Sequence, residues 1–278
     1  MKNTIIFTDL DGTLLDDNYS FLAALPALRL IKENQIPLVF CSSKTRSEIE
    51  YYRRQMNNYD PFVSENGGGI FIPKGYFNDV AINTLGKTDF LDDYVFLRLG
   101  TSYLRLRNAL NELRTKGFSV KGFGDMTIED VAQTMGLDVQ QATMSKNRDF
   151  DEPFFYYGNT HDKEALFDEI HKMGLKKTEG KIYHLLGDND KGKAVSILTG
   201  LYRKKYEEVF TVAIGDGLND VPMFEQVESC FIVEKAGGGH DERIDLPNLI
   251  KAQGIGPHGF NSTIQHLFSP FINNSYAK

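Results

Sequence analysis

Two cysteines in 278 residues are too few for a disulfide framework. Cys41 and Cys230 also sit inside the apolar stretches PLVFCSS and ESCFIVE, where a thiol behaves as a small buried hydrophobe. No long basic run occurs and the formal net charge is -7, so the electrostatic footprint of a nucleic-acid or anionic-membrane binder is missing. Any anionic ligand must therefore be held by local cations. No apolar stretch approaches the roughly 18 residues of a membrane span. The first one, TIIFTDLD, is too short for a secretory leader and is broken by acids, which makes a cytoplasmic protein the expectation. The six histidines are scattered with no HxxH or HExxH pair, which argues against a histidine-based zinc site. Internal repeats and low-complexity tracts are also missing. What remains is 41% hydrophobic and 25% charged, enough for one large domain or two ordinary ones with their own cores.

Up to about residue 78, short apolar runs alternate with helical patterns: TIIFTDL, FLAALPALRLIKEN, IPLVFCSS, SEIEYYRRQM and DPFVSENGG. Strand and helix in that order predict a parallel sheet with crossover helices. The same order returns late, in KGKAVSILTGLYRKKY, VFTVAIGDG, NDVPMFEQV and CFIVE. Between them, SYLRLRNALNELRTKG and DKEALFDEIHKMG are amphipathic helical patterns, and EPFFYYG and KIYHLLG are strand candidates. Thr127, with Asp130 at the third helical position, predicts a capped helix start. The expected fold is α/β: a Rossmann-like parallel sheet core formed by residues 1–82 and 187–278, with an α+β module at 83–186 inserted in it.

In an open parallel sheet, ligands bind outside the carboxyl ends of the strands. Four segments bring polar groups to that edge: Asp9 and Asp11 in DLDGTLL; Ser42, Ser43, Lys44 and Thr45 in SSKT; Lys191 and Lys193; and Asp216, Asn219 and Asp220 in GDGLND. Carboxylates, hydroxyls and lysines together suit a hard cation and a phosphoryl group, and Mg2+ is characteristically held by one or two carboxylates plus substrate phosphate. Asp9 and Asp11 lie two apart on an ending strand and can reach one substrate, one attacking phosphorus while the other handles the proton. Gly12 lets backbone N–H groups approach the phosphate closely. Glu65 and Asn66 follow PFVS at the same edge and are expected to line the site. GDNDKGKA matches the first seven positions of a nucleotide-binding loop, but Ala194 stands where the metal-binding hydroxyl is needed. AGGGHDE (236–242) reads as a surface loop.

Taken in order, these motifs resemble the haloacid dehalogenase superfamily of phosphohydrolases over essentially the whole chain. The resemblance implies that Asp9 is the nucleophile and Asp11 the general acid/base. It makes Ser42 the hydroxyl on the phosphoryl oxygen and Asp216 and Asp220 the metal-holding acids, and it leaves the third-motif cation between Lys191 and Lys193, with Lys191, the lysine before the glycine, the better match. Mg2+ would sit on Asp9, the backbone carbonyl of Asp11, and Asp216. It also implies that residues 83–186 are a cap that selects the substrate. CSSKTRSEI, PFVSENGGGIFIPKGYF, RDFDEPF, GDNDKGKAV and GIGPHGFN resemble a branch acting on phosphorylated glycosyl-glycerates, although Phe260 stands where that branch has tryptophan. A small sugar-phosphate substrate of that kind carries a carboxylate and hydroxyls besides its phosphate. Lys44, Arg148 and the backbone N–H groups around Gly67 and Gly68 are candidates for the anionic groups, and Asn66, Glu152, His161 and Lys163 for the hydroxyls. Monomer and homodimer both remain open.

Overall fold

Ile5, Ile6 and Phe7 are fully buried, as an apolar run without alternation requires when both faces of its sheet are covered. The computed structural model describes residues 3–275, and among them the strands are, in chain order, β1 (Asn3–Thr8), β2 (Leu38–Cys41), β3 (Phe62–Ser64), β4 (Gly69–Pro73), β5 (Asp89–Leu91), β6 (Tyr94–Arg98), β7 (Val120–Gly122), β8 (Asp151–Tyr156), β9 (Lys176–Glu179), β10 (Tyr183–Leu186), β11 (Val209–Gly215), β12 (Ser229–Glu234) and β13 (Leu249–Ile255). The chain divides into two compact units, residues 1–41 with 195–278, and residues 42–194. The expected module at 83–186 lies within the second unit, which also takes in 42–82 and 187–194.

The first unit carries parallel strands in the order β13-β12-β11-β1-β2. β1 pairs with β11 along its whole length, from Asn3 opposite Val209 to Thr8 opposite Ile214. The carboxyl ends of these two strands are thereby level, although some 200 residues separate them in sequence. Val195, Leu198 and Tyr202 give the helix Lys191–Lys205 a fully buried stripe within this unit. Asn261 Oδ1 accepts the Ala27 N–H at 2.9 Å and so ties the helix Leu25–Glu33 to the helix Pro257–Ser275.

The second unit has two antiparallel arrangements. β3-β4-β6-β5 is an antiparallel run in which β6 lies between β4 and β5 and Phe71 stacks on Phe62 and Phe96, with ring centroids 4.8 and 4.7 Å away. A separate sheet runs β7-β8-β10-β9. One of its faces receives the helices Tyr103–Thr115 and Thr160–Lys172, with Leu106, Leu110, Leu113, Leu166 and Ile170 packed on Phe154 and Leu185. Phe155 and Ile182 point the other way, against Phe123, Met126, Val131 and Ala142. The expected cap at Thr127 is present: its Oγ1 accepts the Asp130 N–H at 3.0 Å, while the Asp130 carboxylate accepts the Thr127 N–H.

Candidate functional site

In the first unit the site begins where β1 stops. Asp9 still belongs to the ladder, its N–H donating to the Ile214 carbonyl at 2.9 Å, and the residue is only 3% exposed. Thr13, Leu14 and Leu15 then all donate their N–H groups to the Leu10 carbonyl, so the chain turns sharply just past Asp11. Gly12 takes φ +74° in this turn, and a Cβ there would stand 2.8 Å from Asp216 Oδ2. Both the conformation and the close approach call for glycine. On the neighbouring strand, β11 ends at Gly215, and Asp220 Oδ2 accepts the N–H groups of Asp216 and Gly217 at 2.9 and 3.1 Å. Asp220 thus shapes the turn that presents Asp216, and Asn219 lies beside it, buried.

Asp9, Asp216 and Asp220 each offer a carboxylate oxygen, all within 4.8 Å of one another. Three acidic oxygens that close, two of them on buried residues, repel one another unless a cation lies among them. The oxygen-only donor set suits a hard divalent ion. The Asp11 side chain is outside this cluster.

The remaining predicted residues lie in the second unit. Thr45 caps the helix Arg46–Met56, its Oγ1 accepting the Glu48 N–H at 3.2 Å while Glu48 Oε2 accepts the Thr45 N–H at 2.9 Å. Lys44 is buried and pairs with Glu48 at 3.3 Å, and Ser42 Oγ accepts the Lys44 N–H at 3.2 Å. Ser43 turns its carbonyl to Arg148, whose Nη1 donates to it at 2.8 Å while Nε donates to the Ser145 carbonyl at 2.8 Å. The Arg148 side chain is 5% exposed, with Glu48 and Asp151 each 3.9 Å away.

Glu65 and Asn66 both adopt left-handed backbone, φ +49° and +53°, which non-glycine residues rarely do and two in succession still less often. Their N–H groups donate to the Lys44 and Ser42 carbonyls at 3.0 and 2.9 Å, and Asn189 Nδ2 donates to the Asn66 carbonyl at 3.2 Å. Gly67 and Gly68 leave no room for a side chain: a Cβ would run into the Asp190 carbonyl at the first and into Phe150 at the second. The Glu65 carboxylate accepts the N–H groups of Asp149 and Phe150 at 3.0 and 2.8 Å. Burial pushes it up to about 8, against the opposing pull of the Arg148 charge. Lys191, 1% exposed, follows directly on the Asn189–Asp190 segment, whereas Lys193 is 44% exposed at its side chain and pairs with Asp188 at 2.8 Å.

Sequence reasoning missed a pair. Asp151, fully buried, holds His184 Nδ1 at 2.8 Å and accepts from Asn66 Nδ2 at 2.8 Å. The signal was a histidine inside the apolar strand pattern YHLL, but its partner lies 33 residues away. Glu152 faces the helix side of the sheet, paired with Arg107 at 2.7 Å, and His161 is exposed. Lys163 stands over the Tyr183 ring at 4.9 Å.

The chain belongs to the haloacid dehalogenase-like hydrolase family, whose profile matches residues 6–96 and 125–240. It is 46% identical over 266 residues to the glucosyl-3-phosphoglycerate/mannosyl-3-phosphoglycerate phosphatase of Methanococcoides burtonii, covering 95% of this chain and 96% of that one. It is 36% identical over 231 residues to the mannosyl-3-phosphoglycerate phosphatase of Pyrococcus furiosus, covering 82% of this chain and 90% of the relative. Solved structures agree on the fold. A haloacid dehalogenase-like hydrolase from B. subtilis superposes with TM-score 0.65 at 17% identity over 96% of this chain and 100% of that one. A sucrose-phosphatase from Synechocystis does so with TM-score 0.61 at 13% identity over 96% and 98%. The expected α/β class is the one these structures share. No helix among the described residues is long and apolar enough to cross a membrane.

Proposed function

We propose that this chain is a Mg2+-dependent phosphomonoester hydrolase that converts mannosyl-3-phosphoglycerate to mannosylglycerate and phosphate, and that glucosyl-3-phosphoglycerate is a second substrate. The observation that carries the reading is the close trio Asp9, Asp216 and Asp220 at the ends of two adjacent parallel strands. The substrate follows from the relatives, and the dual name of the one that is 46% identical favours both sugars.

Asp9 attacks phosphorus with a carboxylate oxygen. The bond from phosphorus to the glycerate oxygen breaks, and that oxygen takes a proton from the Asp11 carboxyl. Water then attacks the aspartyl-phosphate, gives its proton back to Asp11, and releases phosphate from Asp9. Asp9, the Asp11 carbonyl and Asp216 would hold Mg2+, with Asp220 holding the Asp216 turn in place. The ion, when bound, offsets the negative charge that otherwise keeps a carboxylate away from a phosphate. Ser42 donates to a phosphoryl oxygen, and Lys191 neutralises another, as a buried ammonium can at short range. Gly12, Ser43, Lys44, Thr45, Glu65, Asn66, Gly67, Gly68, Arg148 and Asn219 form or brace the walls of the binding site. Residues 83–186 are the cap that selects the organic part of the substrate.

Phosphate release tests the reading, with Mg2+, with EDTA and in Asp9→Asn, over mannosyl- and glucosyl-3-phosphoglycerate, mannose 6-phosphate, sucrose 6-phosphate and phosphoglycolate. Metal-dependent release is expected to be strongest from the glycosyl-phosphoglycerates and lost in the variant. Full activity in a folded Asp9→Asn would refute the mechanism, and a different best substrate would refute the assignment.

A further inference from the structure

Along β10, Tyr183 and Leu185 pack toward the two long helices of their sheet, so His184 faces the opposite side. Its diagonal neighbour on β8 is Asp151, which points the same way. A carboxylate only accepts hydrogen bonds, and Asp151 receives them from both Asn66 Nδ2 and His184 Nδ1. The His184 Nδ1 therefore carries a proton, and Nε2 is the ring nitrogen not engaged by the carboxylate. His184 is 6% exposed, yet among the described residues no hydrogen bond reaches Nε2. Nε2 is not among the side-chain atoms sealed from solvent without a partner, so it is open to a ligand. His184 thus spends one nitrogen on a buried carboxylate and leaves the other aimed outward.

The location gives that nitrogen a use. Asn66, which shares Asp151 with His184, bonds through its N–H to the Ser42 carbonyl and through its carbonyl to Asn189, two residues before Lys191. His184 is thus linked by two side-chain hydrogen bonds to the loop that carries Ser42 and to the segment that leads into Lys191. Resting on the phosphatase reading above, we propose that His184 is a specificity-determining residue whose Nε2 hydrogen-bonds a hydroxyl of the organic part of the substrate. Asp151 and Asn66 are positioning residues that hold the ring.

Two substitutions separate this from a structural role. An asparagine amide superposes on Nδ1, so His184→Asn keeps the bond to Asp151 and loses the outer nitrogen. A glutamine amide superposes on Nε2, so His184→Gln keeps an outer polar group and gives up the inner bond. Both variants and the wild type are assayed on mannosyl-3-phosphoglycerate and on p-nitrophenyl phosphate, which has no hydroxyls to offer. His184→Asn is expected to lower the ratio of the two kcat/KM values about tenfold, mainly through KM on the sugar ester, as the loss of one hydrogen bond in a buried site implies. His184→Gln is expected to recover part of that ratio. A wild-type ratio in His184→Asn, or the reverse order of the two variants, would overturn the proposal and make His184 a brace. If the wild type hydrolyses p-nitrophenyl phosphate but neither glycosyl-phosphoglycerate, the substrate reading fails by itself. The same two-variant comparison then uses the best hydroxylated ester of the panel and still decides the role of His184.

Discussion

Glu65→Gln isolates one titration. The wild-type side chain is buried, accepts two backbone N–H groups, and is raised from 4.5 to about 8, chiefly by desolvation. Between those values the folded protein holds a proton on Glu65 that the unfolded chain has already released. The folded state thus binds more protons than the unfolded one, and stability falls as pH rises through this window. One proton is worth about 1.4 kcal/mol per pH unit. The whole rise corresponds to roughly 4 to 5 kcal/mol at most, lost by about pH 8 and constant above. Glutamine accepts the same two N–H groups through its carbonyl and does not titrate. Urea denaturation of both proteins at pH 5, 6, 7 and 8 gives the test. The stability difference, variant minus wild type, should grow by about 1 kcal/mol per pH unit and level off near pH 8. A flat difference from pH 5 upward would refute the reasoning, because it would mean that Arg148 outweighs burial and keeps Glu65 ionised throughout.

Arg107→Met removes the ionic partner of Glu152, whose side chain has no exposure, and should cost about 3–5 kcal/mol in thermal or urea denaturation because a buried carboxylate keeps its hydrogen bond from the Gly124 N–H but loses its counter-charge. Leu110→Ala, in the core beneath the antiparallel sheet, should cost about 2–5 kcal/mol by the same measurements. Gly12→Ala puts a methyl 2.8 Å from Asp216 Oδ2 in a left-handed turn. It should weaken Mg2+ binding by about tenfold in calorimetric titration, and unchanged affinity would count against the metal site proposed at Asp216. Chelation with EDTA should abolish phosphate release, and added Mg2+ should restore it.

The aspartate-ended strands were legible because their signals are local: an apolar run, an acid, a glycine. β1 and β11 follow that pattern, and the ladder between them brings Asp9 and Asp216 together. The antiparallel run β3-β4-β6-β5 was not legible, since GIFIP and YVFLR are apolar runs that parallel and antiparallel neighbours accommodate equally well. Glu65 and Asn66 could be placed at a strand end, but their left-handed backbone depends on bonds to residues 42 and 44 and to Asn189. Arg148 looked like a donor for a substrate carboxylate, and the structure engages its guanidinium with the Ser43 and Ser145 carbonyls. The Asp151–His184 pair is a tertiary fact, and no spacing rule reaches across it.

The discontinuous first unit sets an order of events on the ribosome. β1 leaves early, but β11, the strand on which it pairs fully, is some 200 residues behind it, and residues 42–194 all precede β11. The strands of the second unit are therefore synthesised while β1 still waits for one of its neighbours. Asp9 meets Asp216 and Asp220 only after β11 has paired with β1. A nascent chain therefore carries β1 with one edge unpaired for most of its synthesis and acquires its acidic trio only near the end.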